Sequence, residues 1–230
     1  MNLGYKDSLS LARKIKSIKE LKNEIVVLPD FSSLSSVASI LEKSSVSYGS
    51  QDVSHFLSGA YTGEVSISSL KDIGCSYALI GHSERRKYFQ EDNLVNSKIA
   101  NVIKNSSITP ILCVGETWEE RRSGQTIEVI KKQLRLALRA LKIKDIIIAY
   151  EPVWAIGSGK TVSSAEAVAV HREIIKIVKK MRPKNLKVVY GGSVSVNNFS
   201  DFKNIDEISG LLIGGASLNS RDFKLIANNF

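Results

Sequence analysis

A histidine and a glutamate lie just C-terminal to two apolar runs of this sequence. His82 comes shortly after the run at residues 77–80, and Glu151 follows the run at residues 145–150. A histidine at a strand end, beside a helix N-terminus, is placed to polarise a substrate oxygen. The positive end of the helix is expected to lower the pKa of His82 and favour the neutral imidazole. A carboxylate facing an enclosed site can act as a general base, so the two residues predict proton-transfer chemistry.

Glycine-rich segments follow three of the apolar runs. The segment at residues 152–162 begins with apolar residues and carries Gly157 near its tip, so it could close over a ligand and exclude water. Gly-Gly pairs follow the last two apolar runs: Gly191-Gly192 before Ser193, and Gly214-Gly215. Glycines let backbone N–H groups approach a phosphate closely, and parallel barrels often build phosphate sites after their last two strands. These pairs therefore predict a phosphate site.

Strands that alternate with helices must position these residues. Seven runs rich in β-branched residues predict strands at residues 25–28, 46–50, 77–80, 108–114, 145–150, 186–190 and 208–213. Between them, amphipathic stretches predict helices, for example at residues 7–21, 125–141 and 163–181. The alternation predicts βαβ units and a parallel sheet. No dinucleotide-binding glycine fingerprint follows the first run, and the strand count is one short of an eight-stranded barrel.

Length and composition limit the kinds of protein to which this chain could belong. The 230 residues are 43% hydrophobic, which suits one α/β domain covering residues 1–230. No apolar run approaches the roughly 18 residues of a membrane span, and the N-terminus lacks the apolar region of a signal peptide, so we expect a cytoplasmic protein without a membrane partner. Cys75 and Cys113 lie in apolar segments, which predicts buried, reduced thiols.

The basic balance of the chain has two interpretations. Its formal net charge of +9 comes from lysines and arginines spread over helical faces, without a basic tail or an aromatic-interleaved stripe. We therefore expect no nucleic-acid partner, and the positive field would instead attract a phosphorylated small molecule. The segment Gly157 to Thr161 looks like part of a nucleotide-binding P-loop, but Trp154 occupies the position where that motif requires a glycine.

Taken together, the segments resemble the triosephosphate isomerase family. The matching stretches are residues 58–64 (SGAYTGE), 80–86 (IGHSERR), 111–116 (ILCVGE), 149–160 (AYEPVWAIGSGK), 190–194 (YGGSV) and 213–218 (IGGASL). They occur in the family's order and at its spacing, from about Asn2 to the C-terminus. The resemblance implies a (β/α)8 TIM barrel. It also implies the interconversion of D-glyceraldehyde 3-phosphate and dihydroxyacetone phosphate through an enediolate, with no metal and no other cofactor.

The resemblance also implies roles for individual residues. Glu151 would be the base that moves a proton between adjacent carbons and His82 the electrophile, which is the family's known chemistry. Residues 152–162 would form a lid, and Glu84 and Cys113 would support the site. The substrate phosphate would be bound by Gly157, Ser193, Gly214 and Gly215.

A partner subunit is implied as well. The loop that starts at Gln51 and ends at Glu64 matches the loop that family members insert beside the neighbouring subunit's active site. The resemblance therefore implies a homodimer that acts on a small phosphorylated triose.

The start of the sequence departs from the family pattern. Family members open with an apolar strand that ends in a motif like Asn-Trp-Lys-Met-Asn, and Met1 and Asn2 match only its last two residues. We therefore expect an N-terminally truncated barrel, with the first strand and the motif's lysine absent from this chain. Removing one preorganised electrostatic group commonly costs about 10²–10³ in rate, so we expect impaired activity.

Three other functions stay open at this point. The chain could be a non-catalytic relic, or a barrel chain that needs a partner polypeptide to supply the strand. It could also be another phosphate-binding barrel enzyme, although His82, Glu151 and the lid occur together. Nucleic-acid binding rests on the net charge alone.

Overall fold

The structure, a computed structural model, describes residues 1–18, 23–157 and 160–230. Its centre is a parallel sheet in which each strand pairs with the next along the chain, in the order β1 to β7. The strands are β1 (Ile25–Val27), β2 (Val46–Ser50), β3 (Tyr77–Ile80), β4 (Thr109–Val114), β5 (Asp145–Tyr150), β6 (Asn185–Tyr190) and β7 (Gly210–Leu211). The seven predicted strands are thus confirmed; β7 is much shorter than predicted, and the other six agree to within one residue at either end.

Helices connect the strands and cover the outer face of the sheet. They are α1 (Tyr5–Lys16), α2 (Phe31–Leu41), α3 (Ile67–Ile73), α4 (Ser83–Phe89), α5 (Val95–Asn105), α6 (Trp118–Arg122), α7 (Thr126–Ala137), α8 (Ser164–Lys179) and α9 (Ser220–Asn229). The predicted helix at residues 7–21 runs partly into residues 19–22, which lie outside the described residues. Within the described ranges, no helix has the length and apolar content needed to span a membrane.

The pleat of the strands divides the apolar side chains between two faces. One face carries a small cluster that includes Leu79, Ile111 and Ala149. Their neighbours along the strands, such as Ile80 and Ile148, point the other way into the large cluster shared with the helices. A sheet that is apolar on both faces needs nearly continuous apolar strands, which is the pattern of β3, β4 and β5.

The sheet curls strongly enough to bring distant strands together on its inner face. Glu24, just ahead of β1, accepts a hydrogen bond from the hydroxyl of Tyr77 on β3. The same carboxylate accepts one from Nζ of Lys187 on β6, at 2.8 Å. A flat sheet would hold β1 and β6 far apart, since neighbouring strands are about 4.8 Å from one another. The architecture is that of an α/β TIM barrel, with β1 and β7 as the two edges of the sheet in the described part of the chain.

Two predicted elements, the last strand and the helix at residues 125–141, are shorter in the structure by several residues. Strand β7 contains only Gly210–Leu211, which pair with Val189 and Tyr190 of β6. Hydrogen bonds from Ser209 N–H and Leu212 N–H to β6 carbonyls, at 2.7 and 2.8 Å, continue the pairing beyond those two residues. Helix α7 ends at Ala137 rather than at residue 141, since Ala140 has a φ of 59°, which no α-helix contains.

Candidate active site

Glu151 and His82 meet at the carboxyl edge of the sheet. Nε2 of His82 lies 3.1 Å from Oε1 of Glu151. The second carboxylate oxygen accepts the backbone N–H of Ser83, also at 3.1 Å. Glu151 is only 2% exposed, whereas the side chain of His82 keeps 23% of its surface accessible. The site therefore joins a buried carboxylate to an imidazole that still reaches the solvent.

The position of His82 at the start of α4 determines which ring nitrogen can carry the proton. Its Nδ1 accepts the N–H of Glu84 at 3.3 Å, so the neutral ring carries its proton on Nε2, facing Glu151. Burial lowers the pKa of His82, but the hydrogen bond and charge of Glu151, together with the charge of Glu84, raise it above its ordinary value overall. The prediction of a lowered pKa is therefore wrong, because the two carboxylates outweigh burial. Glu84 itself is exposed, with Oε2 3.7 Å from Nδ1.

The end of β4 packs closely against Glu151. Cys113 is fully buried, and burial, followed by the charge of Glu151, raises the pKa of its thiol well above the usual range. A Cβ added to Gly115 would lie 1.6 Å from the Glu151 carbonyl oxygen, so only glycine fits there. The side-chain amide of Gln133 accepts the Gly115 N–H and donates to the Gly115 carbonyl, both at 2.9 Å. These contacts fix the backbone that carries Glu151. No sequence signal distinguishes Gln133 from other polar helix residues.

Glu116 is a site residue that the sequence interpretation missed. It is fully buried, and its carboxylate accepts Nε1–H of Trp154 at 2.9 Å and the hydroxyl of Tyr150 at 3.2 Å. Burial raises the pKa of Glu116, although these donors and Arg121 act in the opposite direction. A signal for it does exist, since Glu116 lies two residues beyond β4, as His82 lies two residues beyond β3.

The residues predicted to bind phosphate border open space. A Cβ added to Gly157, Gly214 or Gly215 would meet no atom of the described residues within 4 Å. Gly157 has a φ of 66°, which suits glycine. The hydroxyl of Ser193 donates to the Ala155 carbonyl at 2.5 Å, so it joins the strand end of β6 to the predicted lid. Residues 158 and 159 of that lid lie outside the described residues.

The cysteine predictions agree with the structure, which also shows the environment of His171. Cys75 and Cys113 are both free and buried, as predicted. His171 is fully buried under Tyr150, with Nδ1 2.9 Å from the Glu207 carbonyl oxygen. Burial lowers the pKa of His171 to about 4, so it is a neutral structural residue. In the described part of the chain, no three His, Cys, Asp or Glu side chains are grouped to hold a metal ion.

Comparisons with known proteins agree with this geometry. The family model described as triosephosphate isomerase matches residues 1–230. The triosephosphate isomerase of Dictyoglomus thermophilum is 42% identical, over 95% of this chain and 93% of the relative. That of Borreliella burgdorferi is 43% identical, over 95% of this chain and 91% of the relative. With a curled parallel sheet and a family match along its whole length, the chain belongs to the triosephosphate isomerase family.

Proposed function

We propose that this chain interconverts dihydroxyacetone phosphate and D-glyceraldehyde 3-phosphate, with Glu151 as the base and His82 as the electrophile. The observation that carries this assignment is the 3.1 Å approach of His82 Nε2 to a carboxylate that is 2% exposed. The family relationship supports the reaction, and the geometry supports the roles of these two side chains.

The reaction needs only proton transfers. The Glu151 carboxylate takes a proton from C1 of dihydroxyacetone phosphate, and the electron pair moves into the C1–C2 bond while the carbonyl electrons move onto O2. The Nε2–H of His82 stabilises the charge on O2. A proton then passes from O1 to O2, and Glu151 returns its proton to C2, which leaves the aldehyde at C1. Before the first transfer, Glu151 must turn away from the Ser83 N–H and from Nε2 of His82 towards the substrate, which frees the Nε2–H for O2.

The opposing effects of burial and of Glu151 on the pKa of His82 are consistent with this sequence of steps. The charge of Glu151 is part of what raises the pKa of His82, against the lowering effect of burial. When Glu151 takes the substrate proton, that charge disappears, and burial then favours the neutral imidazole. A neutral ring with its proton on Nε2 donates to the developing oxyanion without competing for the proton on Glu151.

Phosphate binding is proposed for the open glycine positions. Gly157, Gly214 and Gly215 expose backbone without side chains, and Ser193 lies beside the lid. The 3-10 helix Gly215–Leu218 begins at the second glycine of its pair, so its first N–H groups are available to an anion. The formal charge of +9 would favour approach of a phosphorylated substrate.

A homodimer through the loop of residues 51–64 is also proposed. Inside the molecule, Asp52 anchors the loop by an ion pair with the buried Lys98 at 2.8 Å. The loop nevertheless leaves Leu57 51% exposed, and the end of α4 leaves Tyr88 66% and Phe89 63% exposed. Large apolar side chains left in water favour a protein–protein interface.

The dimer can be tested by sedimentation at micromolar concentration. We expect a mass of twice 25.3 kDa, and a monomer for Leu57→Asp. A monomeric unmodified chain would contradict the proposed interface.

We also propose that the protein works in a reducing compartment, the cytoplasm, because both of its thiols are free.

The catalytic assignment is tested by an isomerase assay in which glyceraldehyde 3-phosphate is consumed by a coupled dehydrogenase. Glu151→Gln keeps the hydrogen-bonding shape but removes the base, so we expect kcat to fall at least about 10²–10⁴-fold. Glu128→Gln, which changes an exposed glutamate paired with Lys131, is the matched control and should keep wild-type activity. Equal rates for Glu151→Gln and the unmodified chain would contradict the assignment.

A further inference from the structure

Trp118 contacts both ends of the lid, residues 152–162. Its ring centre lies 5.6 Å from that of Trp154, near the start of the lid, with the ring planes tilted by 54°. Nζ of Lys160, near the end of the lid, lies 4.9 Å from the centre of the Trp118 ring. One indole on α6 therefore makes an aromatic contact with the first part of the lid and a cation–π contact with the last part.

Arg121, one turn further along α6, likewise contacts residues before and after the tip of the lid. Its guanidinium lies 4.5 Å from the ring centre of Trp154. Its Nη2 lies 2.5 Å from Oε1 of Glu166. Glu166 closes the capping box with Ser163 that begins α8, directly after the lid. Helix α6 is thus connected to both segments that flank the tip of the lid.

Helix α6 is itself fixed to the strand edge that carries the site. It begins with a capping box in which Thr117 accepts the Glu120 N–H and the Glu120 carboxylate accepts the Thr117 N–H. The preceding residue, Glu116, binds the Trp154 indole. No residue of α6 is buried, and Trp118 is 45% exposed, so core packing does not account for a tryptophan at this position.

We propose that Trp118 is a positioning residue that, through Trp154 and Lys160, holds residues 152–157 and 160–162 of the lid in the place seen here. The proposal rests on the proposed function, because lid position controls water access to Glu151 and His82. Trp118 touches neither of those two residues and acts only through the lid. Loss of an aromatic pair and a cation–π contact corresponds to about a five- to thirtyfold increase in displaced lid positions.

Trypsin cleavage after Lys160 measures lid displacement directly, because the bond between Lys160 and Thr161 lies within the lid. In Trp118→Leu, both ring contacts are lost, and we expect this bond to be cut about five to thirty times faster. Trp118→Phe keeps an aromatic ring and should restore most of the protection. Leu136→Ala, which shortens an exposed apolar side chain on α7, is the matched control and should cleave at the wild-type rate.

The rate of trypsin cleavage at a site outside the lid distinguishes a positioning role of Trp118 from a general effect on the stability of the fold. We expect the rate after Lys203, outside the lid, to be the same in Trp118→Leu and in the unmodified chain. A parallel acceleration at Lys203, or an unchanged rate at Lys160, would overturn the proposal. Trp118→Leu also leaves Trp154 as the single tryptophan of the chain. Its emission should shift towards that of a more exposed indole, and an unshifted emission would also contradict the proposal.

Kinetics distinguish this proposal from the proposed function. If the chain is an isomerase, Trp118→Leu should raise KM for the triose phosphate more than it lowers kcat, because the chemical groups are untouched. If the unmodified chain proves inactive while Trp118→Leu still accelerates cleavage after Lys160, the proposed function fails and the role of Trp118 stands. If the unmodified chain is active but Trp118→Leu is not cleaved faster, the role of Trp118 fails and the proposed function stands.

Discussion

Nε2 of His82 lies 3.1 Å from Oε1 of Glu151, while Nδ1 of the same ring accepts the Glu84 N–H at 3.3 Å. One imidazole therefore connects the catalytic carboxylate to the start of α4. The protonation of His82 depends on Glu151, because the charge of Glu151 opposes the effect of burial on His82.

The first prediction concerns the pKa of His82. In Glu151→Gln the negative charge disappears and burial dominates, so the pKa of His82 should fall below its value in the unmodified chain. Glu84→Gln removes a carboxylate that is 71% exposed and should lower the pKa by less. NMR titration of the imidazole measures both changes. A pKa that stays unchanged or rises in Glu151→Gln would show that the pair is not coupled.

The second prediction concerns phosphate binding. A Cβ at Gly215 would lie within 4 Å of no atom in the described part of the chain, so Gly215→Ala should change the free energy of unfolding by no more than about 0.5 kcal/mol. The same methyl group would obstruct an anion at the backbone, so inorganic phosphate should bind at least about tenfold more weakly. Gly4→Ala adds a methyl group in similarly open surroundings and serves as the control. Unchanged phosphate inhibition in Gly215→Ala would exclude this glycine from the site.

The third prediction concerns Glu116, the acceptor for Tyr150 and Trp154. Glu116→Leu takes the carboxylate away from the buried Tyr150 hydroxyl, and we expect it to lower the free energy of unfolding by about 1–3 kcal/mol. Glu116→Gln keeps an acceptor oxygen and should cost less. Urea denaturation compares the two variants, and equal stabilities would argue against a role for these hydrogen bonds.

The fourth prediction concerns the pH dependence of stability. The pKa of His171 is about 4 in the folded protein and 6.5 as its ordinary value, so the unfolded chain binds the proton more tightly. Stability from the neutral ring is complete above about pH 6.5 and is lost as the pH falls towards 4. The loss at pH 5 is about 2 kcal/mol. His171→Gln does not titrate, so its free energy of unfolding should fall less between pH 7.5 and pH 5. If the free energy of unfolding falls equally in His171→Gln and in the unmodified chain over this pH range, His171 is not the group responsible.

Short-range sequence signals located the central pair of the site. His82 and Glu151 each lie just beyond a predicted strand, and the ends of parallel strands meet at one edge of the sheet. The same reasoning should have found Glu116, which lies two residues beyond β4 as His82 lies two residues beyond β3. The seven strands could also be predicted from the sequence, because strands buried on both faces consist of nearly continuous apolar residues.

Other features depend on contacts between residues distant in sequence. The pKa of His82 rises because of Glu151, a neighbour that only the fold brings to 3.1 Å. Gln133 and Trp118 look like ordinary helix residues until the structure places them against Gly115 and Trp154.

The central claim, that Glu151 moves the substrate proton, is tested most directly by hydrogen exchange in D2O. Dihydroxyacetone phosphate is incubated with the chain, and ¹H NMR follows deuterium at the carbon from which the proton is removed. We predict incorporation by the unmodified chain, and at least about a 10²-fold slower rate in Glu151→Gln. Incorporation by Glu151→Gln at the unmodified rate would contradict the assignment of Glu151 as the base.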